Sequence, residues 1–187
     1  MANIGFSQPY TADYTNTNGT INYANLKKLG KGTTFSVAID GKEPQILYAD
    51  NGPAESVSTF GGGTATLGID ELSLTEAANI LGLTAPTSNG GLTFSADAVA
   101  PYKALCAIAK KVYQGVVKWR LIVLYKVQFM TPDYTVDTEG ETVTFQTPEL
   151  EAQILRDDAT PSKWQFWQDF DTEAAAIAGM STALGIT

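Results

Sequence analysis

The chain has 187 residues, with 12 Lys+Arg against 20 Asp+Glu, no histidine and a formal net charge of −8. A chain of that length buries roughly 70% of its unfolded surface without staples, and 44% apolar residues with 10% aromatics exclude a disordered polymer. The negative balance disfavours binding of nucleic acid by phosphate neutralisation and of anionic membranes, and the lack of histidine excludes Ser-His-Asp and Cys-His catalysis in their usual forms.

In chain order, Met1 to Gly5 lacks the charged and apolar regions of a signal peptide, so synthesis in a cytoplasm without export by the usual route is expected. No apolar run approaches the roughly 20 residues of a membrane span. Residues 1–31, rich in Asn, Thr, Gly and Tyr, read as an N-terminal arm or long loop with at most one short strand. Thr33 to Asp40 alternates Phe35, Val37 and Ile39 against Thr34, Ser36 and Ala38, a half-buried strand. Asp40-Gly41 and Asn51-Gly52-Pro53 are turn signals around a second short strand, Gln45 to Ala49. Glu55 to Ile69 reads as strand interrupted by Gly61-Gly62-Gly63, a bend or a close approach of another backbone.

Ser73-Leu74-Thr75-Glu76 is a capping box that opens a helix with Leu74, Ala77, Ala78 and Leu81 on one face and Gly82 at its end. It is expected to lie on the sheet. Residues 83–101 are a loop with room for a short strand near Thr93. Tyr102 to Tyr113 and Val116 to Met130 then form a long hairpin about Gln114-Gly115, with Leu121, Val123, Tyr125, Val127 and Phe129 on one face. Thr142 to Gln146 and Glu149 to Leu155 are a further pair, and Ser162 to Phe170 a loop or edge segment pinned to the core by Trp164, Phe166 and Trp167. Asp171 can cap a last helix carrying Ile177, Met180 and Leu184, which Gly179 weakens. The pattern predicts one mainly β domain over 1–187: an arm (1–31), a β-sandwich or barrel core (32–170) with a flanking α-helix (73–81), and a C-terminal helix (171–187).

Chemistry is sparse. Cys106, the single cysteine, sits in an apolar run and reads as a small buried hydrophobe. Gly30-Lys31-Gly32-Thr33 fails as a phosphate loop, because Asn25 stands where the first glycine belongs and Gly32 where Ser or Thr should follow the lysine. The glycine run has no G-x-S-x-G elbow beside it. Asp157, Asp158, Asp169 and Asp171 match no calcium loop. No catalytic residue, metal or cofactor is expected, and the chain reads as a non-enzyme.

Charge is unevenly laid out. Six of the bases fall on the long hairpin: Lys103, Lys110, Lys111, Lys118, Arg120 and Lys126. From Asp133 to Glu173 there are eleven acids, opposed only by Arg156 and Lys163. Either these faces are solvated or paired within one subunit, or the basic hairpin of one copy meets the acidic segment of the next. The second arrangement fixes register and excludes wrong partners, and a head-to-tail contact of that kind closes into a ring or continues as a filament. The turn signals single out Asp50, Asn51 and Gly52 as the tip of a loop, Gly41 to Ser56, that reaches a neighbouring copy.

Tyr48-Ala-Asp-Asn-Gly-Pro-Ala-Glu55, Phe60-Gly-Gly-Gly-Thr-Ala-Thr-Leu-Gly-Ile-Asp70 and the capped helix to Gly82 resemble the major tail protein family, the tail-tube subunits of long-tailed phages of Gram-positive hosts. The likeness continues through Val99-Ala-Pro-Tyr102, the hairpin from Lys110 to Phe129, Glu141-Thr-Val-Thr-Phe-Gln-Thr-Pro148 and Phe170-Asp-Thr-Glu-Ala-Ala-Ala-Ile177, and so covers most of residues 32–178. The resemblance implies a tail-tube-like β-sandwich flanked by a helix, hexameric rings whose long strands line an inner barrel, and rings stacked into a tube that conducts double-stranded DNA. It also implies residence in the virion after synthesis in the host cytoplasm, no membrane, and tape-measure, tail-terminator and distal tail proteins as partners. Six copies at −8 amount to about −48 per ring, a field that repels DNA phosphates and lets the genome slide. The alternatives are the tube subunit of a contractile tail or tailocin, and a carbohydrate- or protein-binding β-sandwich with Trp164, Phe166 and Trp167 as its platform.

Overall fold

A computed structural model describes residues 2–41, 45–49, 52–57, 60–87, 90–133 and 147–186. Its first thirty residues are not an arm. Ala2–Thr17 forms strand β1 and Thr20–Lys28 strand β2. They meet at Asn18-Gly19, whose φ angles of 52° and 85° belong to the turn that matches the right-handed twist of a hairpin. β1 then pairs antiparallel with β7 (Tyr102–Tyr113) from Ala2↔Val112 to Asp13↔Lys103. The arm reading fails because backbone pairing, not side-chain polarity, holds this segment: β2 lies at the sheet edge, where Asn and Thr side chains face water.

The remaining strands are β3 (Gly32–Ile39), β6 (Gly63–Ile69), β8 (Val116–Phe129), β9 (Glu149–Leu155) and β10 (Gln165–Phe170). The order is β2-β1-β7-β8-β9-β6-β3, and β10 also pairs with β8. All of these pairings are antiparallel. The sheet curls until β3 comes against β1, where Phe35 stacks on Phe6 with centroids 5.5 Å apart. The fold is thus mainly β and sandwich-like, with two helices, as the pattern predicts. β4 (Gln45–Ala49) and β5 (Gly52–Val57) form a separate two-stranded sheet, so Glu55 to Ile69 is two strands in different sheets. The expected strand at Thr142 to Gln146 lies outside the described residues. No strand forms near Thr93, and Ser162 to Phe170 ends in the hydrogen-bonded strand β10.

β8 organises the interior. Its far edge pairs with β10 along Trp119–Leu124 and then with β9 along Lys126–Phe129. Against β7 the register runs from Leu105↔Leu124 to Lys103↔Val127, so Tyr125 and Lys126 together oppose Ala104. This β-bulge reverses which side chains face which side. Leu124, Val127 and Phe129 enter a first core, with Leu67, Ile69, Leu105, Leu150 and Ile154. Leu121, Val123 and Tyr125 enter a second core, with Cys106, Ile108 and Met180. The single apolar face expected for β8 is corrected to two half-faces, because its periodicity assumed an unbroken ladder.

Two helices close the cores. In α1 (Leu74–Leu81) the Ser73 hydroxyl accepts from the Glu76 amide at 3.2 Å, and Ile80 and Leu81 plug the first core. In α2 (Glu173–Leu184) the cap is Thr172, whose hydroxyl accepts from the Ala175 amide at 3.2 Å. Asp171, the expected cap, is an ion-pair partner of Lys118 instead. α2 covers the second core with Ala176, Met180 and Leu184. Gly179 is a packing requirement there, since a Cβ at that position would strike the Phe170 ring. The glycine run is a close approach too: Gly62 has φ 105°, and a Cβ on Gly63 would strike the Ala38 carbonyl oxygen. Among the described residues no helix is long and apolar enough to cross a membrane.

Candidate functional site

The six hairpin bases divide sharply by environment. Lys103 is only 3% exposed. Its ammonium pairs with Asp13 on β1 and donates to Asn79 Oδ1 on α1 at 2.8 Å. Burial works against ionisation of Asp13, but hydrogen bonds from Lys103 and Asn25 prevail and hold its carboxyl below the usual range. This base ties two strands to a helix and is inaccessible to another chain.

Lys126, beside the bulge, extends its ammonium to Asp158 Oδ2 at 2.9 Å, over the rings of Tyr102 (4.6 Å to the centroid) and Tyr14 (5.1 Å). Asp158 also accepts from the Tyr14 hydroxyl at 2.7 Å and the Asn16 amide at 3.1 Å. Lys126, Tyr14 and Asn16, in that order, hold its carboxyl well below the ordinary range. Burial, then the bond to Asp158, pushes the Tyr14 phenol up to about 12. Arg120 grips Asp169 on β10 with both ends of its guanidinium, at 2.6 and 2.7 Å, and lies 5.2 Å from the Trp167 ring. Lys118 pairs with Asp171 at the β10–α2 junction.

Four of the six bases are thus matched inside the chain, and three of those four take their acid from the acidic C-terminal segment. Lys110 and Lys111 are not. Lys110 lies over the Trp119 ring, 5.2 Å from its centroid. Lys111 is 9% exposed and stands across the ladder from Lys118. Among the described residues it has no ion-pair partner. Burial and then the Arg120 charge lower its pKa, with Asp169 opposing.

No protein-family model and no curated protein matches the chain.

At the open end of the hairpin, acids are left over. Asp133, Glu149 and Glu151 are exposed and line a cleft of about 380 Å³ with Met130, Thr131 and Pro132. From Val127 to Leu155 the sequence has no Lys or Arg. The signal for this cleft was present as that one-sided charge run, but only the pairing of Asp158, Asp169 and Asp171 inside the chain separates them from these three.

The aromatic platform does not form. Trp164 stacks on Phe60 at 4.8 Å, Phe166 packs on the second core, and only Trp167 is largely exposed. Trp167 does border a groove of about 490 Å³ at the end of the curled sheet, with Phe6, Phe35, Val37 and Ile122. Of the expected loop tip, Asp50 and Asn51 lie outside the described residues, and Gly52 opens β5 opposite Ala49. Cys106 is fully buried, and that burial pushes its thiol up to about 12, the state of an inert core cysteine.

Proposed function

We propose that this chain is a structural virion protein, the tail-tube subunit of a phage, acting as six-membered rings stacked into a conduit for double-stranded DNA. The observation that carries this reading is the long β7–β8 hairpin at the centre of a sheet whose outer strands, β2 and β3, each have one partner among the described residues. Unpaired edges of this kind invite another chain. Joining copies edge to edge builds a larger barrel with the hairpin as its wall. The charge of −8 suits a conduit that repels its cargo. Tape-measure, terminator and distal tail proteins would be its partners in the virion, and the tube of a contractile tail or tailocin would use the same geometry.

The test is assembly. Purified protein, concentrated across a range of salt, should form rings or tubes in negative-stain electron micrographs. A species that stays monomeric under every condition sinks the reading. The groove beside Trp167 favours a second one, a sugar- or peptide-binding module, which predicts a monomer with a clear hit on a glycan or peptide array.

A further inference from the structure

Subtracting the charges satisfied within the chain leaves two unlike ends on one hairpin. At the turn end stand Lys110 and Lys111, without a carboxylate partner among the described residues. Around them Ile4 is 54% exposed, Tyr113 51% and Val116 55%. At the open end, Phe129 pairs with Ala152 and the Met130 amide bonds to the Glu151 carbonyl at 2.9 Å, which places Glu149, Glu151 and Asp133 beside exposed Met130. Tyr102 pairs with Gln128, and the Gln128 amide donates to the Ala100 carbonyl at 2.8 Å, bringing exposed Val99 and Tyr102 to the same end. From Lys118 to Met130 the strand covers about 40 Å. Between these ends, both faces of the hairpin are largely covered by the two cores.

We infer that copies of this chain join head to tail along the hairpin axis, the Lys110–Lys111 end of one seating on the Asp133–Glu149–Glu151 end of the next. The inference rests on the tube reading and names the contact between successive rings. The occupant is a second copy because each end supplies what the other lacks. The basic end holds Lys111, nine-tenths buried and without an ion-pair partner among the described residues, beside the more accessible Lys110 that an incoming carboxylate reaches. The acidic end holds three exposed carboxylates in a stretch free of bases. Apolar side chains flank both charges, as in an interface whose core is apolar and whose charges set register. Because the two ends differ and lie far apart, the contact is heterologous. It does not close as a dimer, and repeated along the hairpin axis it propagates as an open stack.

The experiment is a charge swap. Glu149→Lys/Glu151→Lys makes both ends basic, and Lys110→Glu/Lys111→Glu makes both ends acidic. Each variant alone should stop at single rings or monomers, with a melting transition like that of the parent. An equimolar mixture should restore stacking, as alternating layers seen by electron microscopy and sedimentation. Parent stacking should also weaken as salt rises. If the parent stacks and the Glu149→Lys/Glu151→Lys variant stacks equally well, the inference is overturned while the tube reading stands. Well-folded variants whose mixture stays unstacked overturn it as well. If Lys110→Glu/Lys111→Glu fails to fold, Lys110→Glu alone, at a partly exposed site, replaces it in the mixture. A parent that never assembles removes the tube reading itself.

Discussion

Asp158 shows how much one exposed carboxylate can organise. It receives Lys126, Tyr14 and Asn16 at once, joining β8, β1 and the loop after β9. Its carboxyl is held below the usual range, so the unfolded chain takes up a proton there before the folded chain does. The resulting stabilisation is complete above the ordinary carboxylate pKa of about 3.9 and is lost as the pH falls toward the folded value. Asp158→Asn should therefore lower the melting temperature at neutral pH, and the gap from the parent should narrow below about pH 4. Because the side chain is 44% exposed, solvent screening keeps that gap small. A gap that does not change from pH 7 to pH 2.5 would show that the carboxylate charge plays no part. None of these partners was legible in the sequence. Tyr14 and Asp158 are 144 residues apart, and no periodicity links them. What was legible was the surplus, bases on the hairpin and acids after it, without the knowledge that four of the six bases are matched within the chain, three of them by acids of that segment.

At the scale of elements, local chemistry was a reliable guide wherever it acted locally. The capping box sets the start of α1 at Leu74, flanking turn signals set β4 and β7, and alternation sets β9, each to its observed bounds. It failed where long-range pairing decides. β2 carries polar side chains on an edge, β1 is held between β2 and β7, and the bulge at Tyr125 and Lys126 lies in the register against β7. The glycine run lies between these cases. Its residues announced a close approach, and the structure identifies the neighbour as the Ala38 carbonyl on β3. Gly63→Ala should push β3 from β6 and cost about 1–3 kcal/mol in chemical denaturation, the usual range for overpacking. The same change at Gly91, where a Cβ meets nothing within 4 Å, is the control. Equal effects at the two positions would discard the close-approach account.

For the whole molecule, the curled sheet, the helix over each core and the unlike charge at the two ends of its central hairpin fit the proposed stacking, and among the described residues the outer strands β2 and β3 each have one ladder partner. The overall class was readable from strand patterning. The division of β8 between the two cores was not, since the bulge moves Val127 and Phe129 to the face opposite Val123.

The burial of β8 on both faces has a thermodynamic consequence. Val123 and Leu124 are adjacent and both fully buried, yet they belong to different cores. Neither core can melt without releasing the strand that forms part of the other, so the chain should unfold as one cooperative unit despite its divided interior. Calorimetry should give a single endotherm whose van't Hoff and calorimetric enthalpies agree. Val123→Ala and Leu124→Ala, each cutting a different core, should move that one peak without splitting it. Two resolved transitions would mean that the shared strand does not couple them. A subunit that loads end to end along such a strand would carry tension through both halves together, with no weaker compartment to yield first.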